Sequence, residues 1–328
     1  VIQVLRVRGI PVRIDVGWLV IFGLVTWSLA SGYFPSVLPG LTPAAYALHG
    51  VLAAVLLFVS VLLHELAHAL AALDQGVPVG GITLHIVGGV SQLDAEPPTP
   101  RAEMLIAVVG PLTSFAIAGL CLVADRLAPG PPAFHAMAGY LVAVNLVVGV
   151  FNLVPGFPLD GGRLLRATIW WWTGRLHRAT EIAARSGAGV AYALMALGAV
   201  RAALGDLIGG LWFVVVGLFL HQAARSSTQI TRLRARLERL RVEDVMTRAP
   251  LVADAVAPLA EAGPALSAEQ VVRPGDSAWH AFVKLGRTRG GRVAVVDGQA
   301  LVGVVSRREL QGALAAGADD PRVTRRAA

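Results

Sequence analysis

Charge is scarce in this chain. Only 15% of its 328 residues are Asp, Glu, Lys or Arg, against about 25% in soluble globular proteins. Lysine is nearly missing: Lys284 stands alone, so the net charge of +7 is carried by arginine. Cysteine occurs once, at Cys121 within an apolar stretch, which excludes an intrachain disulfide and leaves the thiol as a small hydrophobe. Residues 1–15 alternate apolar residues with arginine and contain no apolar h-region, so no cleavable signal peptide is expected. Self-similarity at about 20–50 residues, the mark of solenoids and propellers, is not evident. What the chain has in abundance is apolar residue, 55% of the total, the composition of a membrane protein.

Six apolar segments stand out, at 16–30, 51–73, 104–124, 134–154, 187–203 and 207–222. The first and the last two are short for a hydrocarbon core of about 30 Å. Arginines sort to one side of them. Arg6, Arg8 and Arg13 precede the first segment, Arg163, Arg166, Arg175, Arg178 and Arg185 lie between the fourth and fifth, and a dense run at 225–241 follows the sixth. The other side offers only Arg126 and Arg201. Six spans of an inner (plasma) membrane protein with both termini cytoplasmic fit this asymmetry, and the basic excess reads as contact with anionic headgroups. His49, just before the second span, is expected to be solvated at the outer interface. Residues 77–94 are β-rich and punctuated by Gly88-Gly89, giving one or two strands close to the membrane, with His85 as a structural strand residue. Residues 163–185, with Trp170-Trp171-Trp172, read as an interfacial basic helix.

The second segment contains His64-Glu65-Leu66-Ala67-His68. On a helix, histidines four apart project from one face, one turn from each other. They can share one Zn²⁺ while Glu65 serves as general base toward an activated water. Three ionisable residues inside an apolar span are costly and mark a functional site. Catalytic zinc takes three protein ligands and keeps a position open. The candidate third donor is Asp160, in the run Asn152-Leu153-Val154-Pro155-Gly156-Phe157-Pro158-Leu159-Asp160-Gly161-Gly162-Arg163, where prolines and glycines end the fourth span. An ordinary helix-ending turn with a solvated Asp is the alternative. Asn152 could donate to a developing oxyanion or make an interhelical polar contact.

These residues together resemble the site-2 proteases, intramembrane zinc metalloproteases, of the bacterial subgroup with a C-terminal CBS domain. That family pairs HExxH in one span with N-x-x-P-x-x-x-x-D-G in a later one. Its central span begins with a Gly-Pro pair and small or polar residues, as at Gly110-Pro111-Leu112-Thr113-Ser114. The Gly-Ile-Pro-Val-Arg segment at 9–13 and Gly88-Gly89-Val90 match as well, so the resemblance covers 1–314. It implies His64, His68 and Asp160 as ligands of one Zn²⁺, Glu65 as general base and Asn152 as a substrate or oxyanion contact. It also implies a single-span membrane substrate, such as an anti-sigma factor, in regulated intramembrane proteolysis.

Beyond the connector at 225–241 the composition turns soluble. Arg241-Val242-Glu243-Asp244-Val245-Met246-Thr247 resembles the opening of a CBS motif. Val293 to Asp297 and Leu301 to Leu310 resemble its closing strands and helix. An irregular stretch at 252–268 interrupts it. Such motifs work in pairs around adenosine nucleotides, so a single copy implies pairing with a second chain in a homodimer or higher oligomer. The ribose-contacting Asp of the family is Glu309 here, while Ser306 is retained; nucleotide sensing and plain dimerisation both stay open. The expected architecture is an all-α polytopic membrane domain of about six helices with a small β insertion (1–224), a basic linker (225–241), an α/β CBS-like domain (242–316) and a disordered tail (317–328). A metal-binding transporter or sensor without protease activity is the rival function, an inactive scaffold the next. Nucleic-acid binding lacks any reader motif.

Overall fold

A computed structural model describes residues 1–85, 88–248, 270–288, 290–298 and 300–316. The irregular stretch 252–268 and the tail 317–328 lie outside the described residues. The chain divides into two units, Val1–Thr228 and Gln229–Ala328.

The first unit opens with a hairpin, β1 (Ile2–Val7) and β2 (Ile10–Ile14). Arg8 and Gly9 both have positive φ, 47° and 85°, the type I′ turn whose twist suits paired strands. β2 then runs parallel to β3 (Val79–His85), with Val12 opposite Ile82, and β3 pairs antiparallel with β4 (Gly88–Leu93). The sheet order is β1-β2-β3-β4. The β insertion is therefore half of a four-stranded sheet whose other half is the N-terminal segment. A parallel pairing between residues about seventy positions apart leaves no local pattern, so the alternation at 1–15 did not announce it.

Between β2 and β3 run α1 (Val16–Ser28), a π-helical turn (Leu29–Tyr33), α2 (Phe34–Val37) and α3 (Pro43–Asp74). Asp15 caps α1 by accepting from the Gly17 amide at 2.9 Å. Thr42 with Pro43 starts α3, using an orphan amide and a residue that has none. Then come α4 (Pro100–Leu127), α5 (Pro132–Asn152), α6 (Asp160–Thr173), α7 (Leu176–Ala203) and α8 (Leu207–Leu237). Among the described residues, six helices are long and apolar enough to cross a membrane: 16–37, 43–74, 100–127, 132–152, 176–203 and 207–226. Large apolar side chains such as Leu19, Trp27, Leu120, Val147 and Trp212 stand exposed on them, a surface a soluble fold does not tolerate. All six segments read from hydropathy are present, but most helices outrun them. α3, with 32 residues, is about 48 Å long, because its polar and small-residue ends stay helical once hydropathy has fallen.

Two local expectations are corrected. Residues 163–185 are not one interfacial helix: α6 ends at Gly174, which takes the left-handed conformation (φ 66°), and Arg178 and Arg185 belong to α7. Trp171 and Trp172 of α6 are exposed. His49 is only partly exposed rather than freely solvated: its Nδ1–H donates to the Ala45 carbonyl at 2.7 Å, and its ring centroid lies 5.5 Å from that of Phe34. Arg166, one of the arginines between the fourth and fifth apolar segments, is buried. Residues 225–237 of the polar, helix-compatible connector are the end of α8.

The second unit is an α/β domain. After α9 (Val242–Val245), strands β5 (Thr247–Arg248), β6 (Val271–Val272), β7 (Arg292–Asp297) and β8 (Ala300–Ser306) form a sheet ordered β5-β8-β7-β6. Helices α10 (Ala278–Arg287) and α11 (Arg307–Ala316) complete it, over a core that includes Val272, Ala281, Leu285, Val293, Val305 and Leu310.

Candidate metal centre

α3 presents His64 and His68 from one buried face, each 3% exposed, as their four-residue spacing dictates. Their Nε2 atoms lie 3.2 Å apart. Asp160 is the first residue of α6, and its Oδ2 sits 3.2 Å from His64 Nε2 and 3.0 Å from His68 Nε2. Among the described residues these three form a group whose ligand atoms all fall within 4.8 Å of one another. His85, the last residue of β3, is not in it.

Three features fit this group to a metal ion. The first is the far side of each imidazole. His68 Nδ1 is 2.5 Å from the Ile106 carbonyl oxygen and His64 Nδ1 is 2.9 Å from Ser114 Oγ. A carbonyl only accepts, so His68 Nδ1 carries a hydrogen, and the neutral ring then turns a lone pair toward Asp160 from Nε2. The second is space. A methyl group at Gly110 would run into Nε2 of both histidines, so glycine keeps open the volume into which the donors point. The third is the donor set: two imidazoles and one carboxylate match a zinc site that keeps a coordination position free.

Asp160 is delivered by close packing. A Cβ on Gly161 would strike the carbonyls of Leu153 and Val154, and one on Gly162 would strike the backbone of Gly156 and Phe157. The turn that ends α5 therefore lies directly on the start of α6.

Glu65, next to His64, faces β4. Ser91 Oγ is 2.8 Å from Glu65 Oε2 and donates to it, and it lies 3.0 Å from the Glu65 carbonyl as well. Gly89 passes so close that a Cβ there would strike Glu65 Cγ. β4 is an outer strand of its sheet, paired on one side by β3; among the described residues no strand takes its other edge. Asn152 is half-buried, and its Nδ2 donates to the Val148 carbonyl at 3.0 Å in its own helix, so the hydrogen bond it makes is intrahelical rather than between helices.

Sequence reasoning did not assign Gly110, Ser114, Ile106 and Ser91 their parts. The Gly-Pro pair and the small residues after it were a visible signal for the first two. A backbone carbonyl such as that of Ile106 leaves none.

Comparison with known proteins agrees with this geometry. Residues 52–137 and 130–196 match Peptidase family M50, and residues 242–316 match the CBS domain. The chain is 41% identical over 248 residues to "Putative zinc metalloprotease Rip3" of Mycobacterium tuberculosis, covering 75% of this chain and 63% of that protein. It is 37% identical over 257 residues to "Putative zinc metalloprotease sll0528" of Synechocystis sp., covering 76% and 66%. It thus spans just under two thirds of the length of these relatives. A solved "Site-2 Protease from Methanocaldococcus jannaschii" shares 29% identity over 69% of this chain and 94% of its own, with a TM-score of 0.49. The donors on α3 lie inside the matched segment, Asp160 follows within it, and the second unit carries the second match: this chain is a multi-pass membrane protein that belongs to peptidase family M50, the site-2 proteases, with a CBS domain at its C-terminal end.

Proposed function

We propose that this chain is an intramembrane zinc endopeptidase that hydrolyses a peptide bond in or near a transmembrane segment of a membrane-anchored regulator. The observation that carries the reading is the convergence of His64 Nε2, His68 Nε2 and Asp160 Oδ2, within 4.8 Å of one another, beside a carboxylate that is not one of the three. Both relatives named above are called zinc metalloproteases, which supports zinc as the ion. A bound Zn²⁺ supplies Lewis acidity and makes a water nucleophilic near neutral pH.

The chain's own residues do the rest. Glu65, held at Oε2 by Ser91, takes the proton of the attacking water and returns it to the leaving amine nitrogen. Ile106 and Ser114 hold the two imidazoles in orientation. The free edge of β4 offers backbone groups to an extended substrate, which matters because a helical peptide hides its scissile carbonyls in its own hydrogen bonds. The arginine asymmetry supports cytoplasmic termini in an inner (plasma) membrane, and with them a site in the cytoplasmic half of α3. The single CBS domain supports association with a second copy, and a single-span protein such as an anti-sigma factor is the substrate class this reading favours.

The test is cleavage of a panel of co-expressed single-span proteins by the natural sequence and by Glu65→Gln. At least one should be cut by the former and spared by the variant, with zinc content unchanged in both. Identical fragment patterns from the two would overturn the protease reading.

A further inference from the structure

We propose that Arg166 is a positioning residue for the metal centre, clamping the Asp160-bearing helix to the helix that orients both histidines. The proposal rests on the metal reading of His64, His68 and Asp160.

One face of α4 does several jobs. Its buried positions Glu103, Ile106, Gly110 and Ser114 follow at three- and four-residue steps, so they form one stripe along the helix. Ile106 holds His68, Ser114 holds His64, and Gly110 opens the space before both Nε2 atoms. One turn before Ile106, Glu103 is 1% exposed, and its Oε1 accepts from Arg166 Nε at 2.6 Å and from Nη2. Arg166 Nη2 also donates to Glu96 Oε2 at 3.0 Å.

Arg166 stands on α6, nearly two turns after Asp160. Its guanidinium lies 5.4 Å from the centroid of the Phe157 ring, and Phe157 belongs to the turn that delivers Asp160. This one side chain therefore touches α4, the segment before α4 and the turn before α6. A short helix moves as a rigid body, so fixing it at Arg166 fixes the carboxylate at its first residue. Arg163 of α6 also acts on Glu103 through its charge, whereas Arg166 hydrogen-bonds it directly.

The pair is poorly explained as a stabiliser. A buried ion pair gains little over well-packed apolar residues of similar size, because both charges lose water. Here Glu103 Oε2 is buried without a hydrogen-bond partner among the described residues. What an ion pair adds that apolar packing does not is direction: the Arg fork engages carboxylate in a fixed geometry. Direction is what a third ligand on a separate helix requires.

The experiment uses the full chain in lipid nanodiscs, titrated with Co²⁺, whose visible absorption reports both affinity and ligand geometry. Arg166→Met should weaken Co²⁺ binding by about 10–100-fold, the range for outer partners of metal ligands, and change the visible bands. Arg166→Lys, which keeps the charge, should recover part of the loss. Glu103→Gln, which keeps shape and one acceptor, should shift affinity the same way by less and guards against a misfolded Met variant. The deciding comparison is made in an Asp160→Ala background. There Arg166→Met should change Co²⁺ affinity no further, because the ligand through which it acts is gone. Equal losses in both backgrounds, or no loss in the Asp160-containing chain, would overturn the clamp while leaving the metal reading intact. Failure of the natural sequence itself to bind Co²⁺ would overturn the metal reading, and the clamp with it.

Discussion

His68 Nδ1 lies 2.5 Å from the carbonyl oxygen of Ile106. That contact joins a side chain on α3 to the backbone of α4, and it fixes which ring nitrogen of His68 bears hydrogen. With Ser114 beside His64, α4 sets the orientation of both imidazoles while contributing no metal ligand of its own.

Gly110 keeps open the space before the two Nε2 atoms, so Gly110→Ala should abolish stoichiometric metal binding. Elemental analysis of the purified chain checks this, with circular dichroism as the control for helicity. Full metal content in the alanine variant would show that the donors do not point into that space.

Ser114→Ala removes the partner of His64 Nδ1 and leaves the ligand itself untouched. Metal affinity should fall by about 10–100-fold, measured by competition with a chelator of known strength. An unchanged affinity would mean that packing alone orients His64.

Ser91 holds the carboxylate of Glu65 and touches none of the three metal donors in the group. Hydrogen bonds to charged groups contribute about 1.5–3 kcal/mol, so Ser91→Ala should lower kcat by about tenfold or more. Metal content should stay the same. Loss of metal together with activity would point instead to a general disturbance of the sheet against α3.

In the CBS domain, Glu309 is engaged at the start of α11. Its Oε2 accepts from the Ser306 amide at 2.9 Å and from the Ser306 hydroxyl, and Oε1 accepts from Thr247 Oγ1 at 3.2 Å. Ser306 precedes the helix and its Oγ accepts from the Arg308 amide at 3.2 Å, while the Glu309 carboxylate reaches back to the Ser306 amide, which is the Glu arm of a capping box. Calorimetry with ATP should therefore show no binding at millimolar concentration, since the side chain at the ribose position is occupied within the fold; saturable heat would contradict this.

The same carboxylate predicts a pH dependence. Burial works to raise Glu309, but its hydrogen bonds from Ser306 and Thr247 outweigh it and hold the carboxyl below its ordinary value of 4.5. A group depressed in the folded state stabilises above its unfolded value, and loses that contribution as pH falls through the folded one. The unfolding midpoint of this domain should drop below about pH 4.5, and Glu309→Ala, costing about 1 kcal/mol near neutrality, should flatten that drop. A drop as steep in the alanine variant would assign it to other carboxylates.

Much of this protein is written locally. Scarce charge and six apolar runs determined the membrane helices, because hydropathy is a property of each segment. The four-residue spacing placed His64 and His68 on one helix face, because an α-helix repeats every 3.6 residues. The Pro/Gly-broken run around Asp160 and the repeated family motifs were legible for similar reasons. Other features exist only between segments distant in the chain. The sequence did not show that the N-terminal hairpin completes the sheet, that His49 packs against Phe34, or that Arg166 is buried on Glu103. Nor did it show that an Ile106 carbonyl would orient a histidine. Hydropathy and spacing are carried by neighbouring residues, whereas parallel pairing, buried ion pairs and backbone acceptors take their partners from whichever elements the fold brings alongside. The residues able to hold a metal could be read from the chain; what aims them is decided by how α4 lies against α3 and α6.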